Sequence, residues 1–211
     1  MENCNYPSFK KKWSIALNSN RYRKLLYGGI GSIIVILNVF PWFFQKIEAR
    51  NGTVLNDWLL QQIPAHNVSL AIFICIWTSA LFFTARAIQN PQILITFLVA
   101  YVLLCLSRII SITLVPLDAP VGLITLIDPL SNAFYGVSFI TKDLFFSGHL
   151  STVFLMGLCL VNKREKNIVF MATSIIAILL LIQHIHYTID LLAAPFITFF
   201  LWRLAKKIAQ E

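Results

Sequence analysis

Long apolar runs separated by short polar segments set the plan of this chain. Six runs recur, at about Leu25–Phe44, Val68–Ala87, Ile93–Val115, Leu144–Val161, Ile168–Gln183 and Tyr187–Leu204. The first three have roughly the 20 residues that carry a helix across ~30 Å of hydrocarbon, and the last three are somewhat shorter. Pro41-Trp42, near the end of the first run, suits an exit at the interface. Within the polar stretch 45–66, Leu55, Leu59 and Ile63 recur at helical spacing beside Trp58, which predicts a short helix lying on the membrane surface. The segments Arg86-Ala-Ile-Gln-Asn-Pro91 and Asn162-Lys-Arg-Glu-Lys-Asn167 predict tight turns. Segment 116–143 mixes apolar residues with Pro116, Pro120, Gly122, Pro129 and Gly136. It predicts a loop with a short helix or two dipping into the interface, not a seventh span.

Composition sharpens the class. Of the residues 58% are hydrophobic and 12% charged, and mean hydropathy is +0.75, against about 25% charged residues in soluble domains. An all-α polytopic membrane protein follows, organised as a basic tail (1–24), a six-span domain (25–205) and a short basic C-terminal tail (206–211). The first 24 residues are polar and the first run is long enough to stay as an anchor, so no cleavable signal is expected. Cys4, Cys75, Cys105 and Cys159 form no C-x-x-C pair, and neither a disulfide framework nor a zinc knuckle is indicated.

The net charge of +8 invites a nucleic-acid partner, but its distribution excludes that reading. Lys and Arg alternate between segments. With six spans, thirteen of the 17 fall on the side of both termini, and Lys46, Arg50 and Lys142 lie opposite. Arg108 falls within the third span. That asymmetry makes both termini cytoplasmic. All four histidines (His66, His149, His184, His186) and six of the nine acidic residues then gather at the extracytoplasmic face. There Asn51-Gly-Thr53 is also a glycosylation sequon, meaningful in a secretory-pathway host.

Two polar clusters carry the candidate chemistry. In His184-Ile-His186-Tyr-Thr-Ile-Asp190, a helix would set His186 and Asp190 one turn apart on one face. The carboxylate then holds one imidazole nitrogen and leaves the other to react. Ser147-Gly148-His149 begins the fourth run. Spans four and six both start at the outer face, so two helix N-termini, with their free N–H groups, point at one place. Arg108 lies seven residues from the outer end of span three, about 10 Å deep at 1.5 Å per residue. A guanidinium, two helix N-termini and two imidazoles describe a phosphate site. Blander readings compete. His186–Asp190 is a structural pair, Ser147 and His149 are a polar cap, His66 marks the interface, Asp143 caps the fourth helix, or Arg108 pairs with Asp118 or Asp128. A metal set of His149, His184, His186 and Asp190 is a further alternative, although His-x-His on a helix turns its imidazoles to different sides.

Phe146-Ser-Gly-His149 and His186-Tyr-Thr-Ile-Asp190 resemble the Ser-Gly-His and His-x-x-x-Asp motifs of the type-2 phosphatidic acid phosphatase superfamily. The pattern is most similar to its sphingomyelin synthase branch, where the second motif reads His-Tyr-(Thr/Ser)-(Val/Ile)-Asp after another His, here His184. Arg108 before Pro116, and Asp143 before Ser-Gly-His, also match, so the resemblance covers about Ile93–Leu204. The chain departs from the phosphatase branch. A Lys followed seven residues later by Arg-Pro is missing, Leu179 and Leu180 stand where Ser-Arg is usual, and Phe146 replaces a Pro.

The resemblance implies a phosphotransferase in which His186, oriented by Asp190, forms a phosphohistidine and His149 moves protons. Arg108, Ser147, Gly148, Asp143 and His184 would face substrate. Its partners are a phospholipid donor, a lipid-alcohol acceptor such as ceramide or diacylglycerol, and the surrounding membrane lipids. No metal or other cofactor is implied. A lipid phosphate phosphatase is the nearest alternative, and a non-catalytic lipid-binding or transport protein a more distant one.

Overall fold

The structure is a computed structural model that describes residues 8–126 and 140–210. Cys4, Ile127, Asp128, Pro129, Ser131, Phe134, Tyr135, Gly136 and Phe139 lie outside the described residues. The helices, in chain order, are α1 (Phe9–Asn18), α2 (Asn20–Ala49), α3 (Trp58–Gln61), α4 (Ser69–Gln89), α5 (Pro91–Leu114), α6 (Gly148–Cys159), α7 (Lys163–Ile182) and α8 (Thr188–Gln210). Among the described residues the only strand-like pairing is an isolated parallel bridge, Thr53 to Leu117. Five helices (α2, α4, α5, α7, α8) are long and apolar enough to cross a membrane. The architecture is a polytopic helical bundle.

Local sequence explains most boundaries and corrects several. The basic tail is not featureless. Its residues Phe9–Asn18 form α1, and Trp13 Nε1 donates to the Ile88 carbonyl at 2.7 Å. Ser19 separates α1 from α2 and caps the latter, accepting from Tyr22 N at 3.3 Å. Pro41 does not end α2, because a proline within a membrane helix is tolerated where neighbours cover the local backbone. The helix continues to Ala49, packing Phe43, Phe44 and Ile47 against Ile112 of α5. The predicted surface helix shrinks to the four residues of α3, capped by Asp57. The turn at 86–91 reduces to Asn90, whose Oδ1 accepts from Gln92 N at 3.0 Å ahead of Pro91 in the first turn of α5. Helix α7 starts at Lys163, five residues before the predicted run, because Asn162 caps it and Glu165 sits in its first turn. Helix α8 runs on to Gln210 and takes in Lys206 and Lys207.

The largest departure is the fourth span. Helix α6 has 12 residues, about 18 Å at 1.5 Å per residue, too short to cross alone. Its predicted first turn, Leu144–Ser147, is non-helical yet enclosed, with Leu144, Phe146 and Ser147 all buried. Helix α6 lies at the centre of the bundle, packed on α5, α7 and α8, and Leu150, Val153, Leu155 and Met156 are buried. In lipid, close packing and not escape from water drives helices together. Gly157 permits it here, since a Cβ at that position would sit 2.6 Å from the Phe170 ring. Outward positions such as Leu70, Leu81, Leu114, Ile178, Leu192 and Phe196 are exposed and apolar, as a lipid-facing perimeter requires.

The bundle has two distinct ends. At one, Arg21 donates to the Ile208 carbonyl at 2.5 Å and Tyr22 Oη to the Pro91 carbonyl at 3.2 Å, gathering the start of α2, the start of α5 and the end of α8. At the other, three backbone bonds gather the loops. His66 N reaches Ile182 O at 3.0 Å, Ile124 N reaches Gln183 O at 3.2 Å, and Ser147 N reaches Asp190 O at 3.4 Å. Both polar clusters sit at this second end.

Candidate active site

Ser147 starts α6. Its Oγ accepts from Leu150 N at 3.4 Å, a short-polar-residue N-cap. His149 follows as the second helical residue, half-buried. Gly148 is needed for a steric reason, because any Cβ there would overlap the guanidinium of Arg108. That guanidinium is held from three sides. Its Nε donates to the Phe146 carbonyl at 3.1 Å, Nη2 pairs with Asp143, and Nη1 lies against Gly148. Of the partners expected for Arg108, Asp118 is bound instead by Lys142 Nζ at 2.8 Å, and Asp128 is outside the described residues. Asp143 is therefore an ion-pair partner of Arg108, and the cap of α6 belongs to Ser147.

The second cluster is built differently from the expected helical pair. His186 precedes α8 and lies in the turn, while Asp190 is in the first turn of the helix. The turn still brings His186 Nδ1 to 3.5 Å from Asp190 Oδ2. Tyr187 N donates to the same carboxylate oxygen at 3.1 Å. His186 is 2% and Asp190 0% exposed, and neither His186 Nδ1 nor Asp190 Oδ1 has a protein hydrogen bond of good geometry. Such atoms in an enclosed site are held in reserve for chemistry or tighten on binding. The Ser147–Asp190 backbone bond joins this cluster to the first.

His184 does not join them. It occupies the left-handed position (φ 54°) that closes α7, where glycine is usual. Its N–H bonds Leu181 O at 3.0 Å and the next N–H, of Ile185, bonds Leu180 O at 3.1 Å. Its ring is buried with Nδ1 2.9 Å from Val121 O and Nε2 2.9 Å from Ile63 O. Each nitrogen faces a loop carbonyl, to one of which a neutral ring donates, so the ring is turned into the loops and away from His149 and His186. His66 is exposed, tied through its backbone only to the end of α7.

Three residues at this end, Asp57, Tyr187 and Gln183, take supporting roles that sequence reasoning did not assign. Asp57 accepts from Thr188 N at 2.6 Å, Thr188 Oγ1 at 2.9 Å and Leu60 N at 3.1 Å. It therefore caps α8 as well as α3, and the amide of Thr188 at the α8 N-terminus is spent on a carboxylate of the protein itself. Partial burial raises the Asp57 carboxyl, but these hydrogen bonds outweigh it and hold the pKa below its ordinary 3.8. Tyr187 Oη donates to Asp118 O at 2.9 Å and accepts from Leu55 N at 3.2 Å. Gln183, fully buried, accepts from Val68 N at 3.1 Å and donates to Ser69 Oγ at 2.7 Å. Asp57 has the residue type of a cap, but its partner lies 131 positions away, beyond any local pattern.

With that geometry in view, one comparison bears on this end of the bundle. Residues 142–208 match the PAP2 superfamily C-terminal family model. The matched stretch contains Asp143, Ser147-Gly148-His149, His184, His186 and Asp190, and stops short of Arg108. It supports the PAP2 superfamily, and with it a lipid phosphatase or phosphotransferase type of function. No curated protein matches the chain.

Proposed function

We propose that this protein is a sphingomyelin synthase-like lipid phosphotransferase, moving a phosphocholine- or phosphoethanolamine-type headgroup from a phospholipid to a lipid alcohol at the extracytoplasmic face. The observation that carries the reading is the enclosure of the His186–Asp190 pair, 2% and 0% exposed, joined through Ser147 to a helix start against which Arg108 is packed. A nucleophile shielded from bulk water favours transfer to a lipid hydroxyl over hydrolysis.

The steps balance with donor and acceptor alone. His186 Nδ1 faces Asp190, so Nε2 attacks phosphorus, and the P–O bond to the departing lipid breaks with its electron pair on that oxygen. His149 gives that oxygen a proton. The acceptor hydroxyl then loses its proton to His149 and attacks the phosphohistidine. The P–N bond breaks and His186 is restored. Arg108, fixed by Asp143 and Phe146 O, neutralises the non-bridging oxygens.

A lipid phosphate phosphatase shares the phosphohistidine, and the PAP2 match favours it as the second reading. Full-length protein given labelled phospholipid, with and without ceramide or diacylglycerol, separates the two. Acceptor-dependent lipid product supports transfer. Water-soluble headgroup phosphate unchanged by acceptor overturns it. For the face, a cysteine replacing Asn51 should react with an impermeant thiol reagent from outside, and one replacing Asn162 should not.

A further inference from the structure

The end of the bundle that bears both termini holds a cleft of about 440 Å³ between α1, α2, α5 and α8. Its walls have two characters. Lys12 of α1 and Arg21 of α2 supply cations, whereas Ile15, Leu25 and Ile95 supply an apolar flank. Among the described residues none of its lining side chains is acidic. A second cleft, of about 250 Å³, shares Asn90, Gln92 and Gln210 with the first and adds Lys166 and Lys206. The one acid nearby that is described, Glu165, is paired with Arg86 at 2.9 Å.

Helix α1 has the build of an element lying in a membrane surface. Lys10, Lys11 and Lys12 stand together, and Phe9, Ile15 and Leu17 expose apolar side chains. Trp13, bonded to Ile88 O at 2.7 Å and edge-on to Tyr22 at 6.5 Å, pins the helix across the bundle end. The cleft beneath α1 thus opens where headgroups meet acyl chains.

We infer that this cleft binds an anionic phospholipid of the terminus-side leaflet, its phosphate between Lys12 and Arg21 and its chains along Leu25 and Ile95. Arg21 donates to Ile208 O at 2.5 Å, which fixes the guanidinium while its five-donor fork keeps capacity for phosphate. A zwitterionic headgroup would bring its own cation into a cleft whose charged lining, among the described residues, is wholly basic. Basic pockets between membrane helices on that side select anionic headgroups for this reason. The site lies at the opposite end from His149 and His186 and is independent of the transfer reaction.

The test is native mass spectrometry of the delipidated full-length protein in a non-ionic detergent. The probes are phosphatidylglycerol, phosphatidylcholine and, as the free-phosphate arm, glycerol 3-phosphate. Phosphatidylglycerol adducts should persist, with affinity falling about 5-fold in Lys12→Gln and about 25-fold in Lys12→Gln/Arg21→Gln. Lys163→Gln/Arg164→Gln, which removes equal charge elsewhere on the same end, should leave affinity within about 2-fold. Equal losses in both double variants would reduce the effect to diffuse surface charge and overturn the site. So would adducts indifferent to Lys12→Gln, a single substitution that covers a double variant that fails to fold. Glycerol 3-phosphate binding as tightly as the lipid would mean an aqueous anion site instead.

Discussion

The two polar clusters both open a helix at the same end of the bundle, yet they are held by different means. Ser147-Gly148-His149 is positioned locally. A serine caps its own helix, and a glycine admits the guanidinium of Arg108. His186 and Asp190 are positioned from a distance, through Asp57 on Thr188 and through Tyr187 between Leu55 and Asp118. A cluster built locally depends on the identity of its own residues. One built remotely depends as much on loops that never touch a substrate.

The comparison can be broken most severely at His186, the proposed nucleophile. His186→Ala should lower turnover by ~10² or more and abolish any trapped phosphoenzyme, while His149→Ala slows turnover but leaves the intermediate trappable. Labelled phosphate retained by His186→Ala after acid-free denaturation would move the nucleophile elsewhere. Next comes the local cluster. Gly148→Ala forces a methyl into Arg108, at an overpacking cost of about 1–3 kcal/mol. Turnover should fall by ~10-fold or more through displacement of the guanidinium, and thermal unfolding should show whether stability falls with it.

The remote support should respond more gently and with a pH signature. Asp57→Ala removes a cap, at about 0.5–2 kcal/mol, and Asp57→Asn keeps an acceptor, so turnover should rank wild type, Asn, then Ala. The folded pKa of Asp57 lies below its ordinary 3.8. Its stabilising contribution is therefore fully present above about pH 4 and is lost as pH falls through the folded value. Melting temperatures between pH 3 and 6 should drop more steeply with acid in wild type than in Asp57→Asn. Parallel curves would remove Asp57 from the acid response. The smallest effect belongs to His184→Asn. Asparagine tolerates the left-handed backbone, so a loss of less than about 5-fold is expected from a ring engaged only with loop carbonyls, and a loss matching His186→Ala would return His184 to the chemistry.

The same contrast explains what could be read from the chain. Apolar runs located α4, α5, α7 and α8 to within a few residues at most ends, because a bilayer demands long apolar stretches and little else produces them. Both motifs were visible for a similar reason, as charges and imidazoles are rare among such runs. The failures have physical causes. Pro41-Trp42 suits an exit at the interface, yet α2 continues past the pair to Ala49, packed through Phe43, Phe44 and Ile47. The fourth run was taken for a full helix because hydropathy does not distinguish residues facing lipid from those enclosed by protein. Spacing alone made His186–Asp190 a helical pair, whereas a turn delivers the same proximity. The Asp143–Arg108 pair and the double cap by Asp57 span 35 and 131 positions, distances at which local pattern carries no information.

The brevity of α6 has a consequence for how the protein meets different membranes. Helices that touch lipid answer a change in bilayer thickness by tilting or by drawing lipid to their length. Helix α6 is wrapped by α5, α7 and α8, and bilayer thickness has no direct purchase on it. His149 is instead tied in depth to Arg108 through the Phe146 carbonyl and to Asp190 through the Ser147 amide, so the three move together when α5 and α8 adjust. In a thin or a thick membrane these groups hold their spacing, and under the proposed function what changes is the height at which a lipid headgroup is presented to them.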